Sequence, residues 1–100
     1  MISFNVEWFD EYVVIQFELV EVMDPQQLTS IQPPDSFSNK FSDKGVVLSG
    51  RGPIWLFGYL THFYHPTLFV AIYDPRLKSA IIVETHSLKY KIGDIISLNI

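Results

Sequence analysis

Hydrophobic and polar residues alternate at the start of the chain. The apolar residues take every second position there: Ile2, Phe4, Val6 and Trp8. This alternation predicts a strand with one buried face, and "FDEY" after it predicts a turn into a second, longer strand, "VVIQFELVEV". "MDPQQLTSI" then predicts a short helix, with Asp24 as its N-cap and Pro25 at its first position. The first third of the chain therefore predicts a β-hairpin followed by a short helix.

Two later apolar runs do not alternate. "GVVLSG" (45–50) and "LFVAIY" (68–73) are typical of strands buried on both faces, as in the parallel part of a sheet. Residues 53–64 lie between them and predict a helix, which makes a right-handed β-α-β crossover. "SAIIVETH" and "DIISLNI", separated by the turn "KIGD", predict further strands. We therefore expect a single α/β domain over residues 1–100, with a mixed sheet of about five or six strands that includes the N-terminal hairpin.

Composition narrows the classes of function. The chain contains no cysteine, which excludes disulfides, thiolate metal sites and cysteine nucleophiles and predicts a cytoplasmic location. No apolar run is long enough to predict a membrane span. The net charge of -4 disfavours binding to long nucleic acids, so a bound nucleic acid should be short and held by a few groups. The 48% hydrophobic content is also compatible with a surface buried against another subunit.

The motif "SGRGP" ends the first buried strand and leads into the helix. Gly50 and Gly52 let the backbone approach a ligand closely, and the helix N-terminus offers free N–H groups. Arg51 adds a bidentate donor for phosphate, and Ser49 precedes the turn. The motif predicts a phosphate-binding turn; the alternative is a tight strand-to-helix connection that binds nothing.

The helix predicts one apolar face and two histidines at its far end. At about 100° per residue, the apolar face is formed by five residues: Trp55, Leu56, Tyr59, Leu60 and Phe63. Gly58, Thr61 and His65 fall on the opposite side, with His62 at the boundary. His62 and His65 lie one turn apart and could share a ligand; the alternative is a pair of surface histidines.

"YDPRL" follows the strand 68–73 immediately. Asp74 and Arg76 should therefore lie at the carboxyl edge of the sheet beside "SGRGP", where they could bind metal and phosphate or orient a sugar hydroxyl. An ordinary Asp-Pro turn is the alternative. His86 ends the next strand, and if that strand is antiparallel, His86 lies near the histidine end of the helix.

Taken together, "SGRGPIWLFGYLTHFYHPTLFVAIYDPRL" closely resembles the motif region of a small CRISPR-associated protein family. That family was first described as a manganese-dependent RNA deadenylation exonuclease and later as a ring nuclease that linearises cyclic tetra-adenylate. The similarity covers residues 45 to about 86. It implies a Rossmann-like fold related to cyclic-oligoadenylate sensor domains, and a homodimer that removes a second messenger of type III CRISPR antiviral signalling.

The resemblance also implies roles for individual residues. His65, Asp74 and Arg76 match the family's functional residues, and His62 and His86 are further contributors to an Mn²⁺ site formed with His65 and Asp74. The glycine turn corresponds to residues 49–52. The sequence departs from the family in "LKSA", where glycines are expected after D-P-R-L.

The lengths of the elements place the two ends of this motif region far apart. A helix of about twelve residues spans about 18 Å, and the strand 68–73 carries the chain about 20 Å across the sheet. His65 should therefore not reach Asp74 easily within one subunit: either these element boundaries are wrong, or the complete site is shared between molecules. The family resemblance implies dimers that stack head to tail around the cyclic substrate, which would join the two ends.

Three other functions stay open at the level of sequence. The chain could be a manganese-dependent exonuclease that trims adenylates from linear RNA 3′ ends, although extended RNA favours a basic track. It could also be a non-catalytic sensor of a cyclic or tetranucleotide ligand. A structural dimerisation module would leave "SGRGP" and "YDPR" without a role.

Overall fold

The computed structural model describes residues 1–100 and contains a six-stranded mixed sheet with one α-helix. Its strands are β1 (Ile2–Trp8), β2 (Tyr12–Leu19), β3 (Gly45–Gly50), β4 (Phe69–Asp74), β5 (Ser79–Thr85) and β6 (Ile95–Ser97). Their order in the sheet follows the sequence. β2, β3 and β4 are parallel, whereas β1, β5 and β6 each pair antiparallel. The predicted α/β fold with a mixed sheet, a crossover and an N-terminal hairpin is confirmed.

The helical segments differ only slightly from the predictions. α1 (Ile54–Phe63) connects β3 to β4, one residue shorter at each end than predicted, because Pro53 is its N-cap and Tyr64 its C-cap. Pro25–Thr29 forms a short 3₁₀ helix. Asp24 caps it as predicted: its carboxylate accepts from the Gln26 backbone, and the Gln27 side chain accepts from the Asp24 backbone. No helix in the chain is both long and apolar enough to cross a membrane.

β2 is shorter than its apolar residues suggest. "VVIQFELVEV" predicts a strand that continues to Val22, but β2 ends at Leu19, and Val20 and Val22 are 79% and 95% exposed. The β1–β2 ladder ends where Ile2 faces Leu19; Val20 makes one further backbone hydrogen bond, to the carbonyl oxygen of Met1, and Val22 lies past it. An apolar side chain without a pairing partner does not extend a strand.

The core has one layer on each face of the sheet. On the first face, α1 and the segment between β2 and β3 cover the central strands, with Leu56, Leu60 and Tyr64 fully buried. Trp55, Tyr59 and Phe63 are partly buried there, which confirms the predicted apolar face of the helix. On the second face, a smaller cluster packs around Phe69 and Tyr73. The second face is polar where β1 begins and β2 ends, outside this cluster.

Gly45 is required by the packing of the second face. A Cβ added there would lie 2.1 Å from Cζ of Phe69, whose ring is fully buried and cannot move away. We expect Gly45→Ala to lower the free energy of unfolding by about 1–3 kcal/mol, measured by urea unfolding. Gly58→Ala is the matched control: its Cβ would meet nothing within 4 Å on the exposed side of α1, and removing a mid-helix glycine should stabilise by about 0.5–1 kcal/mol. Equal stability of the two variants would contradict this account.

Candidate functional site

Three histidines gather where α1 ends and β4 begins. His62 lies in the last turn of α1, and His65 follows three residues later. Their rings are nearly parallel, at 16°, with centroids 5.6 Å apart. His86 follows β5, which runs antiparallel to β4, and its ring centroid is 6.4 Å from that of His65. The predicted position of His86 at the histidine end of the helix is confirmed.

Backbone carbonyl groups fix the tautomers of two of these histidines. Nδ1 of His65 lies 3.1 Å from the carbonyl oxygen of His62, and Nε2 of His86 lies 2.9 Å from the carbonyl oxygen of His65. A carbonyl oxygen only accepts hydrogen bonds, so each of these ring nitrogens must carry a proton and donate. In the neutral rings, Nε2 of His65 and Nδ1 of His86 are therefore free to accept a proton. This orientation through a backbone partner is typical of histidines that act as bases or ligands.

Asp74 and Arg76 form an ion pair at the opposite end of β4. The Asp74 carboxylate accepts from the Arg76 backbone N–H at 2.9 Å and from its Nε and Nη2 at 3.2 and 3.0 Å. These hydrogen bonds from the guanidinium and the backbone lower the pKa of Asp74, and the carboxylate raises that of Arg76. Asp74 therefore stays ionised at neutral pH. The Arg76 side chain is 88% exposed, so its remaining N–H groups can reach an incoming phosphate.

The turn that follows the Asp74–Arg76 pair has an unusual backbone. Lys78 has a φ of 48°, which lies in the left-handed region. Side chains disfavour this conformation and glycine does not. The expectation of glycine near this point, drawn from the family resemblance, therefore has a physical basis in the geometry of the turn.

The glycine turn lies at the same edge of the sheet as Asp74. Leu48 pairs with Ile72 in the parallel β3–β4 ladder, so the residues that follow them emerge side by side. Gly50 is needed here because a Cβ would lie 2.7 Å from the carbonyl oxygen of Phe17. Arg51 is exposed and forms no ion pair, since the two ion pairs of the chain join Arg76 to Asp74 and Lys89 to Glu11. The turn and the ion pair thus share one edge, as predicted.

The structure keeps the two ends apart within one chain. β4 runs from the histidine end at Phe69 to Asp74, and a strand of this length spans about 20 Å. No group of three or more His, Asp or Glu residues in the chain is arranged to hold a metal ion. The four residues predicted as metal ligands, His62, His65, Asp74 and His86, therefore do not form one ligand set in a single chain.

One polar feature was not predicted from the sequence. A cleft of about 620 Å³ lies where β1 begins and β2 ends, beside Gly50 and Arg51. Its polar lining residues include Asn5, Gln16 and Glu18. The signal was present in the sequence: a hairpin that turns at "FDEY" pairs positions 5 and 16, so the two amide side chains share a face.

Comparison with known proteins gives one family. A family model described as "CRISPR-associated protein (Cas_csx3)" matches residues 16–97. A relative from Aquifex aeolicus (strain VF5), named "Uncharacterized protein", is 51% identical over 87 residues, which is 87% of this chain and 78% of the relative. The range matched by the family model contains the glycine turn, the three histidines and the Asp74–Arg76 pair.

Proposed function

The chain belongs to the Cas_csx3 family of CRISPR-associated proteins, and from this premise we propose that it is a ring nuclease. Its substrate is cyclic tetra-adenylate, which it converts to linear oligoadenylates and thereby switches off type III CRISPR signalling. Its working form is a homodimer, and dimers stack head to tail around the substrate. The sequence resemblance and the separation of two chemical groups within the fold support this proposal.

The separation of the two groups is the observation that carries the proposal. One end of the sheet has imidazoles with free, oriented nitrogens, and the other end has a paired carboxylate, a guanidinium and a glycine turn. A phosphodiester cleavage needs both a proton acceptor and a group that stabilises charge on the phosphate. Since one chain keeps these groups apart, a second copy that presents its opposite end would complete the site. A symmetric ring ligand suits such an arrangement, because a symmetric dimer presents each group twice.

The reaction follows from the groups at each end. The ribose 2′-hydroxyl attacks the adjacent phosphorus, and its proton passes to Nε2 of His65. Arg76 donates to the phosphate oxygens on which negative charge develops, and Asp74 holds the guanidinium in place. The bond from phosphorus to the 5′-oxygen breaks, the leaving oxygen takes up a proton from solvent water, and His65 returns its proton to the solvent. The products are linear chains with a cyclic phosphate at one end and a 5′-hydroxyl at the other.

Mn²⁺ is the cofactor implied by the family resemblance. Imidazole and carboxylate are suitable ligand types for it, but within one chain they do not converge on a common point. The reaction above is therefore written through the residues of the protein alone. A complete ligand set would need Asp74 from a second copy beside the histidines of the first.

Incubation with cyclic tetra-adenylate, with and without Mn²⁺, tests the proposal. Chromatography should show loss of the ring and appearance of linear oligoadenylates. Linear tetra-adenylate with free 3′ ends is the comparison substrate: faster shortening of the linear chain than opening of the ring would favour a deadenylating exonuclease instead. Tight binding of the ring without any product, with or without the metal, would favour a non-catalytic sensor.

A further inference from the structure

The polar cleft where β1 begins and β2 ends lies on the face of the sheet opposite α1. Phe4 and Phe17 pack in the core cluster beneath α1. Successive side chains on a strand point to opposite faces, so Asn5, Gln16 and Glu18 point away from the helix. The volume of the cleft, about 620 Å³, lies within the range of sites that bind small molecules. We call this feature the amide cleft.

Two amide groups lie side by side in the amide cleft. Asn5 and Gln16 are directly opposite each other in the β1–β2 ladder, where Cβ atoms are about 4.5–5.5 Å apart. Both are exposed, and neither side chain makes a hydrogen bond within the protein. Gln27 and Asn39, in contrast, bond to backbone groups and stabilise local turns. The donors and acceptors of the amide cleft are thus free for a ligand.

The hydroxyl group of Ser49 extends this polar row. Ser49 of β3 lies opposite Gln16 in the parallel ladder and is only 6% exposed. Its hydroxyl group bonds to no protein group and keeps contact with solvent, since no fully buried side-chain oxygen or nitrogen in the chain lacks a partner. Ser49 is followed by Gly50 and Arg51, which line the amide cleft. A polar row therefore runs from the paired amides to the proposed phosphate-binding turn.

We propose that the amide cleft binds an adenine base through Asn5 and Gln16 while Arg51 contacts the adjoining phosphate. This inference rests on the proposed function, because cyclic tetra-adenylate supplies the adenine. An amide side chain offers one acceptor and one donor, which match the amino group of adenine and its neighbouring ring nitrogen. Glu18 repels a phosphate but can accept from a base amino group, so the base lies over the strands and the phosphate lies at the turn.

Equilibrium binding of two rings tests this assignment. Cyclic tetra-adenylate and cyclic tetra-inosinylate differ in that inosine carries a carbonyl oxygen in place of the adenine amino group. Binding is measured in a His65→Ala background, which suppresses turnover. We expect the Asn5→Ala/Gln16→Ala double variant to lose affinity for the adenylate ring by about 5- to 150-fold and to lose the preference over inosinylate. Gln32→Ala, an exposed amide in a loop, is the matched control and should bind like the parent.

The outcomes separate this inference from the proposed function. Unchanged binding in the double variant, or equal losses for both rings, overturns the adenine assignment even if the wild-type protein opens the ring. An adenine preference that disappears in the double variant, in a protein that opens no ring, supports the assignment and overturns the proposed function. Failure of the His65→Ala parent to bind either ring, together with no ring opening by the wild type, overturns both. Thermal unfolding of the double variant near the parent temperature confirms that the fold is retained.

Discussion

We expect Asp74→Ala to slow the proposed cleavage of cyclic tetra-adenylate strongly and to leave the fold intact. The Asp74 carboxylate accepts two hydrogen bonds from the Arg76 guanidinium and one from the Arg76 backbone. No other residue of the chain bonds to the exposed side chain of Arg76. Without the carboxylate, Arg76 no longer offers a fixed pair of donors to the phosphate. Loss of one such stabilising group lowers turnover by about 100- to 1000-fold, measured as the initial rate of ring opening. Asp74 is the last residue of β4 and its side chain bonds only to Arg76 in the turn that follows, so the circular dichroism spectrum should not change.

Asp43→Ala is the matched control for this substitution. Asp43 is an exposed carboxylate in the loop before β3, and its removal should leave the rate unchanged. Asp74→Asn adds a test of charge, because it keeps an acceptor for the Arg76 backbone but removes the negative charge. The pKa of Asp74 is lowered by Arg76, so the carboxylate should remain ionised as the pH falls from 7 towards 5. Wild-type rates in Asp74→Ala would rule out the assigned role.

Much of the fold follows from two simple patterns in the sequence. Alternation from Ile2 to Val6 gives a strand with one half-buried face, although Trp8 at its end is 51% exposed, and the unbroken apolar run in β3 gives a strand buried on both faces. Where a strand ends depends on whether a neighbouring strand offers backbone groups to pair with, and not on the apolar character of its residues. Val22 has the apolar character of a strand residue, but β1 offers no backbone for it to pair with.

The residues of the candidate site could be named from the sequence, but their arrangement in space could be predicted only in part. The chain lengths of α1 and β4 already separate His65 from Asp74, and the structure places them at opposite ends of β4. The tautomer of His65 could not be inferred, because it depends on a carbonyl group three residues earlier that points at Nδ1. The amide cleft was missed because alternating polar residues in a hairpin usually face solvent without a ligand. Its concave shape appears only when β1 and β2 are placed beside Gly50 and Arg51.

Mixing two inactive variants restores ring cleavage if the site is shared between molecules. His65→Ala removes the proton acceptor and should lower the rate by about 100- to 10,000-fold by itself. Asp74→Ala removes the partner of Arg76 at the other end of β4. In an equal mixture, a contact between opposite ends is complete when Asp74 comes from one variant and His65 from the other. Random association gives that combination in about one quarter of contacts, so the mixture should recover about a quarter of the wild-type rate.

The control for this mixture is the double variant His65→Ala/Asp74→Ala. Added to either single variant in equal amount, it should restore nothing, because no contact can then contain both intact groups. The rate of the active mixture should also rise more steeply than linearly with protein concentration, since each site needs two associating molecules. A mixture no faster than the single variants, although sedimentation shows that they associate, would mean that His65 and Asp74 act in the same chain. The proposal of a site shared between stacked dimers would then be wrong. His65 and Asp74, at opposite ends of β4, could then meet only through a conformational change within one chain.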